Sequence, residues 1–259
     1  MAYIPEAAYL LDAIIHNRLP GHSIDAIRGL SPNISASTAT GVIWALGGEY
    51  PYPTSAQTLE VLSSSASDSA AGAGARLIFI QGLDANWAKQ IAVVATNGVT
   101  PVTASGTWLR VNHTTVLGAG STGRNAGVVT TRVVGGNTLS VIPIVHGRGM
   151  GTSQDAVYTV PSGHMLYLSD AVVDSQDLIG SMTYNAEFRD NNLANAAWIA
   201  GALFSSNEGG TTSTMLKIVP PIIATGRVDL QVITIRSSSP VFSTFSFLST
   251  GILVEPGYF

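Results

Sequence analysis

The residues able to do chemistry are few and scattered. The five histidines, His16, His22, His113, His146 and His164, form no HxH, HExxH or HxxxH pair, so a metal site would need ligands converging from distant segments. The densest carboxylate group is Asp170, Asp174 and Asp177 in SDAVVDSQD. It offers oxygen ligands of the kind calcium takes, but it lacks the D-x-D-x-D-G loop, and a solvated strand end accounts for it better. Glu187 and Asp190 flank Arg189, a pattern of surface ion pairing rather than of paired glycosidase carboxylates. No G-x-S-x-G exists, so a nucleophile-elbow hydrolase has no anchor. Gly118–Gly127 (GAGSTGRNAG) is glycine-rich, yet no GK[ST] occurs, and Val128–Thr131 after it reads as strand where a phosphate loop would open a helix. Trp44, Trp87, Trp108 and Trp198 could stack on sugars if several lined one face. A tryptophan among apolar neighbours is expected in a core or a subunit contact instead. Trp87, in the turn LDANWAK, is expected to be exposed on the isolated chain and covered by a partner. No catalytic, cofactor-binding or metal residue is assigned, and the chain is expected to be non-enzymatic and free of cofactors.

Composition points to assembly. Charged residues make up 11% of the 259 residues, where soluble domains carry about 25%. Much of the surface must then be neutral and polar, or be covered by another chain. Interface centres are depleted in charge, which favours the second reading. The net charge of −4 and the absence of any Lys/Arg run argue against a nucleic-acid partner. There is no cysteine, hence no disulfide or thiolate chemistry. No apolar run is long enough to span a bilayer, and the N-terminus lacks the ordered regions of a signal peptide. No membrane partner is expected.

Residues 1–35 read as a helical arm. Pro5 can open a helix, and Ala8, Leu11 and Ile15 fall at helical spacing. Leu19-Pro20-Gly21 ends it, and Ser23 could cap a second short turn through Arg28. The arm either packs on its own β-domain or docks on a neighbouring subunit. Tyr9, Leu11 and Ile15 on the arm, with Trp44 and Trp87, are the candidate interface residues.

The remainder reads as all-β: a β-sandwich domain over 36–147 and a second sandwich or jelly-roll-like domain over 148–259. Arg76–Gly118 organises the first. Leu77–Ile80, Gln90–Ala95 and Trp108–Asn112 read as successive strands, with Asn97-Gly98 suited to a tight turn. Trp108, Arg110 and Asn112 alternate with Leu109 and Val111, the period of a sheet with one buried face. Ser63–Gly74, rich in serine, alanine and glycine, is expected to be a mobile surface loop. Pro143 suggests an edge or bulge, and His146–Asp155 is the expected boundary. Beyond it, Pro161-Ser162-Gly163 separates two strands as a tight turn. Further short strands follow through Glu255, the sequence signature of a β-sandwich or jelly roll.

The cadence GAR…GLDAN…NG-TPV…LRVN…GAGS-G-NAG, carried by Ala75-Arg76, Leu83-Asp84, Asn97–Thr103, Trp108–Val111 and Gly118–Ser121, resembles a family of virion structural proteins of tailed bacteriophages. Val157–Gly163 (VYTVPSG) also resembles it, and the likeness covers roughly residues 40–170. The resemblance implies a virion component with no catalytic residues. It implies binding to copies of itself, as a trimer for example, and to other virion proteins such as the major capsid protein. A head decoration or cement role comes first. A tail or fibre component, or a carbohydrate-binding host-recognition module, is the alternative.

Overall fold

The structure is a computed structural model that describes residues 6–16, 18–34, 40–177, 182–206, 210–236 and 243–258. It is almost entirely β. Among the described residues one helix, α1 (Glu6–Ile15), precedes eighteen strands. The first are β1 (His22–Ile34), β2 (Thr40–Val42), β3 (Leu59–Ser63), β4 (Ala75–Leu83), β5 (Lys89–Ala95) and β6 (Val102–Thr103). Next come β7 (Arg110–Ala119), β8 (Val129–Val133), β9 (Thr138–Ile142), β10 (Ile144–Val145), β11 (Arg148–Gly149) and β12 (Val157–Thr159). The last are β13 (Met165–Asp177), β14 (Met182–Asp190), β15 (Ile199–Ser206), β16 (Gly210–Thr225), β17 (Val228–Arg236) and β18 (Ser243–Val254).

Every pairing is antiparallel. The middle of the chain forms a sheet ordered β6-β3-β8-β9 and another ordered β5-β4-β7. Both contribute to one core around Leu59, Ile78, Ile80, Trp108, Leu139 and Ile142. The rest forms a sheet ordered β1-β18-β13-β16 and a sheet ordered β12-β17-β14-β15, with β2 also on β17. Their core gathers Ile27, Tyr158, Leu166, Leu230, Val232 and Leu253.

Several local expectations need correction. The second helical turn from Ser23 to Arg28 does not form. These residues lie in β1, paired with β18 from His22↔Val254 to Ile34↔Ser243. Local capping signals there lose to eleven paired residues of ladder and to the burial of Ile27 and Leu30. The tight turn at Pro161-Ser162-Gly163 does form between β12 and β13, His164 N–H donating to Pro161 O (3.1 Å), but the two strands it joins do not pair: β12 pairs with β17 while β13 pairs with β16 and β18. It carries the chain from one sheet to the other, with Gly163 at φ +74°. Pro220-Pro221 lies within β16. β16 is an edge, and the register slips between Leu168↔Ile222 and Asp170↔Lys217, so the missing N–H groups fall where the ladder is already interrupted.

Nor is Ser63–Gly74 a loose loop. Asp68 is fully buried. Its carboxylate accepts from Ser63 Oγ (2.6 Å) and from the backbone N–H groups of Ala75 (2.6 Å), Ala126 (2.8 Å) and Gly127 (2.8 Å). The two glycine-rich loops thus close on each other, with Gly120 N–H donating to Gly74 O. A Cβ on Gly120 would sit 2.2 Å from Gly72 O, so this backbone approach requires glycine.

Candidate functional site

The residue that organises the candidate site is Asp229, on β17. It is fully buried, and Arg110, where β7 begins, is buried beside it. Arg110 Nε donates to Asp229 Oδ1 (2.9 Å) and Nη2 to Oδ2 (3.0 Å), a two-pronged ion pair between the two halves of the fold. Arg189 on β14 adds Nη2 to Oδ2 at 2.6 Å, Asn191 Nδ2 reaches Oδ2 at 2.9 Å, and Thr159 Oγ1 reaches Oδ1 at 2.6 Å. Burial alone would raise the Asp229 pKa; the hydrogen bonds and charge of Arg110, with Thr159 and Arg189, outweigh it and hold the carboxyl below its ordinary value.

Aromatic rings wrap this ion cluster. The segment Tyr50-Pro51-Tyr52-Pro53 is neither helix nor strand; Tyr52 N–H donates to Tyr50 O (3.0 Å), a three-residue turn around Pro51 that proline's fixed φ suits. It lays a chain of rings: Trp44 to Tyr50 at 5.2 Å, Tyr50 to Tyr52 at 4.7 Å, and Tyr52 to Trp198 at 5.4 Å between centroids. Arg110 stands over Tyr52 (5.2 Å) and over Trp87 (5.0 Å), and Arg189 over Tyr52 and Trp198 (4.6 Å each). Burial and the neighbouring Asp229 carboxylate push the Tyr52 phenol well above its ordinary pKa, so it stays neutral.

Two clefts open beside the cluster and share Tyr52 and Arg189. One, of about 580 Å³, has Glu187, Gln231 and Trp198 in its walls. The other, of about 310 Å³, reaches Trp87, Arg110 and Asn195. In the first, Gln231 Nε2 donates to Glu187 Oε2 (3.0 Å) and Asn185 Nδ2 to Oε1 (3.1 Å). Asn185, Glu187 and Arg189 alternate along one face of β14, while Ala186 and Phe188 turn toward the core. Arg189 therefore pairs with Asp229 across the sheet rather than with its sequence neighbours Glu187 and Asp190.

A second surface feature lies on the sheet β5-β4-β7. Ile78, Ile80, Ala92 and Val94 fill the core. On the opposite face, Val93 pairs with Phe79 and Ala95 with Leu77. Ile91, Val93 and Leu117 there are more than half exposed. The sheet β1-β18-β13-β16 shows a similar outward row, Ile24–Ile252–Tyr167–Ile223, with Ile223 59% exposed.

The candidate interface residues are dispersed. Trp44 is buried within its own chain, its Nε1 donating to Gly47 O, so it offers no free surface. Trp87 is half-buried under Arg110, at φ +64°, covered by this chain rather than left open. Ile15 is 68% exposed. The side chains of Tyr9 and Leu11 lie outside the described residues. Among the described residues no cluster of three or more His, Asp or Glu could hold a metal. Among the described residues no helix is long and apolar enough to cross a membrane.

No family model matches the chain, and no curated protein matches it. Solved structures with partial similarity include infectious bursal disease virus strain Gx, at 12% identity over 92% of this chain and 73% of that one (TM-score 0.29). They also include Eiger TNF from S. frugiperda, at 9% identity over 37% of this chain (TM-score 0.26). The chain spans 62% of the length of that Eiger structure. TmCBM61 in complex with β-1,4-galactotriose matches at 11% identity over 38% of this chain and 59% of that one (TM-score 0.20). TM-scores this low assign neither fold family nor function.

Sequence reasoning missed Arg110 and Asp229 as a pair, because 119 positions separate them. The only available signal was Arg110 between Leu109 and Val111, a charge inside an apolar strand start.

Proposed function

We propose that this chain is a non-enzymatic structural protein of a virion, a decoration or cement protein of a phage head that assembles with copies of itself and with other virion proteins. The resemblance carried by Ala75–Ser121 supports the lineage. The observation that supports assembly is the outward face of β5-β4-β7, where Leu77, Phe79, Ile91, Val93 and Leu117 meet solvent behind a fully packed core face. A soluble antiparallel sheet ordinarily alternates apolar-in with polar-out. Each of the two cores draws on two sheets, which supports the finer reading of two packed β-sandwiches.

The face spans three strands and about five residues, roughly 250 Å² in plan. That is well below the roughly 800 Å² per partner of a stable interface, so it does not suffice alone for a dimer. The outward row Ile24–Ile252–Tyr167–Ile223 gives each copy a second apolar face. Unlike faces joined head to tail close into a ring, and a trimer suits sites of local threefold symmetry on a shell. The test is the native mass of the purified chain, beside an Ile91→Lys/Val93→Lys variant. An oligomer that the variant converts to a folded monomer supports the reading. A wild-type monomer with no affinity for purified phage heads overturns it.

A further inference from the structure

We propose that the larger cleft on the outer face of β14 and β17 binds a neutral sugar ring, with Trp198 as the stacking surface and Glu187, Gln231 and Arg189 as its hydrogen-bonding floor.

A pyranose needs three things of a protein: a flat apolar surface for its C–H face, and both donors and acceptors for neighbouring hydroxyls. Trp198 is partly exposed at the cleft wall and is held in place by its contacts with Tyr52 and Arg189. Immobilising a ring of this size in advance lowers the ordering cost of binding. Glu187 accepts one hydrogen bond on each oxygen, from Asn185 and Gln231, and a carboxylate has about four acceptor sites, so two remain. The amide partners also fix the carboxylate plane. Arg189 engages Asp229 through Nε and Nη2, and Nη1 has no acceptor among the described residues. Gln231 adds an amide oxygen. Donor and acceptors therefore stand together on one wall.

Charge selects the class of ligand. Asp229 is shared by two guanidinium groups, which leaves one positive charge, while Glu187 and Glu49 in the cleft wall are negative. The sum is one net negative charge, +1 from the cluster and −2 from Glu187 and Glu49, which disfavours an anion, while Arg189 stands against a cation beside it. A neutral polyhydroxylated ligand meets neither penalty. At about 580 Å³, the cleft has the size of a small-molecule site.

The experiment titrates the full chain with maltohexaose, cellohexaose and laminarihexaose, and with an acidic control, hexagalacturonic acid. Tryptophan fluorescence and calorimetry read binding. The expected result is saturable binding of at least one neutral hexasaccharide at or below about 1 mM, an affinity at which these few contacts suffice. Trp198→Ala should weaken it about tenfold, the loss of one stacking surface, and Trp198→Phe should keep most of it. Raising the salt should leave it unchanged, since the ligand carries no charge. No saturation with any neutral sugar up to about 10 mM would overturn the proposal. So would binding that Trp198→Ala leaves intact in a protein of unchanged circular dichroism, or binding of the acidic control alone. Sugar binding does not require the assembly reading, so either can fail without the other.

Discussion

Replacing Asp229 by asparagine tests the central ion cluster most directly. The carboxylate is fully buried and accepts from Arg110, Arg189, Asn191 and Thr159. Oδ2 alone takes four donor contacts, two from Arg189 and one each from Arg110 and Asn191. Asparagine removes the negative charge, and whichever way its amide turns, an NH2 faces donors. Arg110 is 4% exposed and cannot regain water. Removing one partner of a buried pair costs about 3–5 kcal/mol, against about 5–15 kcal/mol for a whole domain. Arg110→Met should cost less, because Asp229 keeps Arg189 and Asn191. The asymmetry is the diagnostic point. Urea titration followed by tryptophan fluorescence suits the measurement, since Trp87 lies under Arg110 and Trp198 under Arg189. A loss below about 1 kcal/mol for Asp229→Asn would refute the claim that this pair holds the two halves together. pH gives a second check. The Asp229 pKa is lowered on folding, so its contribution is present above the ordinary value of 3.8 and is lost as pH falls through the lower folded value. Wild type should therefore lose stability in acid more steeply than Asp229→Asn.

Further outcomes are expected elsewhere in the fold. Burial pushes the Asp155 carboxyl up to about 7, its Oδ1 has no partner, and Ser140 Oγ and Val141 N–H serve only Oδ2. The folded state then holds a proton the unfolded state releases, so this residue's cost grows as pH rises from 3.8 and is complete above about 7. Asp155→Asn should raise stability at pH 8 by at most about 4 kcal/mol and gain nothing at pH 4, as read from urea midpoints. Burial also lowers the His113 pKa to about 4, so its effect runs the other way and ends near 6.5; the Asp155 comparison is cleanest above that pH. Asp68→Ala should cost about 3 kcal/mol or more, by orphaning the N–H groups of Ala75, Ala126 and Gly127. Hydrogen exchange should rise over residues 63–74 and 118–127 together; a rise in one loop alone would contradict the linkage.

Local chemistry settled the class of fold. Neutral β-branched and small residues, turn glycines and the lack of helical periodicity after the first segment dictate strands, though not their length: β1, β13, β16 and β18 run to 13, 13, 16 and 12 residues. The helix at Glu6–Ile15 and the strands β4 and β5 sit where spacing alone puts them, because their signals lie within a few residues of one another, whereas β7 starts at Arg110 and runs to Ala119, well past the expected Trp108–Asn112. Partners distant in sequence were decided only by tertiary structure. Arg110 reads as the polar side of an alternating strand, yet both faces at that point are covered, one by the core and the other by Asp229 and Tyr52. His22–Ile34 reads as turn and loop, but β18 supplies a ladder that outweighs local preference. Ser63–Gly74 reads as mobile, but one buried carboxylate fastens it to residues 58 and 59 positions further on. Periodicity reports which side of a strand is apolar. It cannot report what will come to rest against the other side, since that depends on contacts no short window of sequence contains.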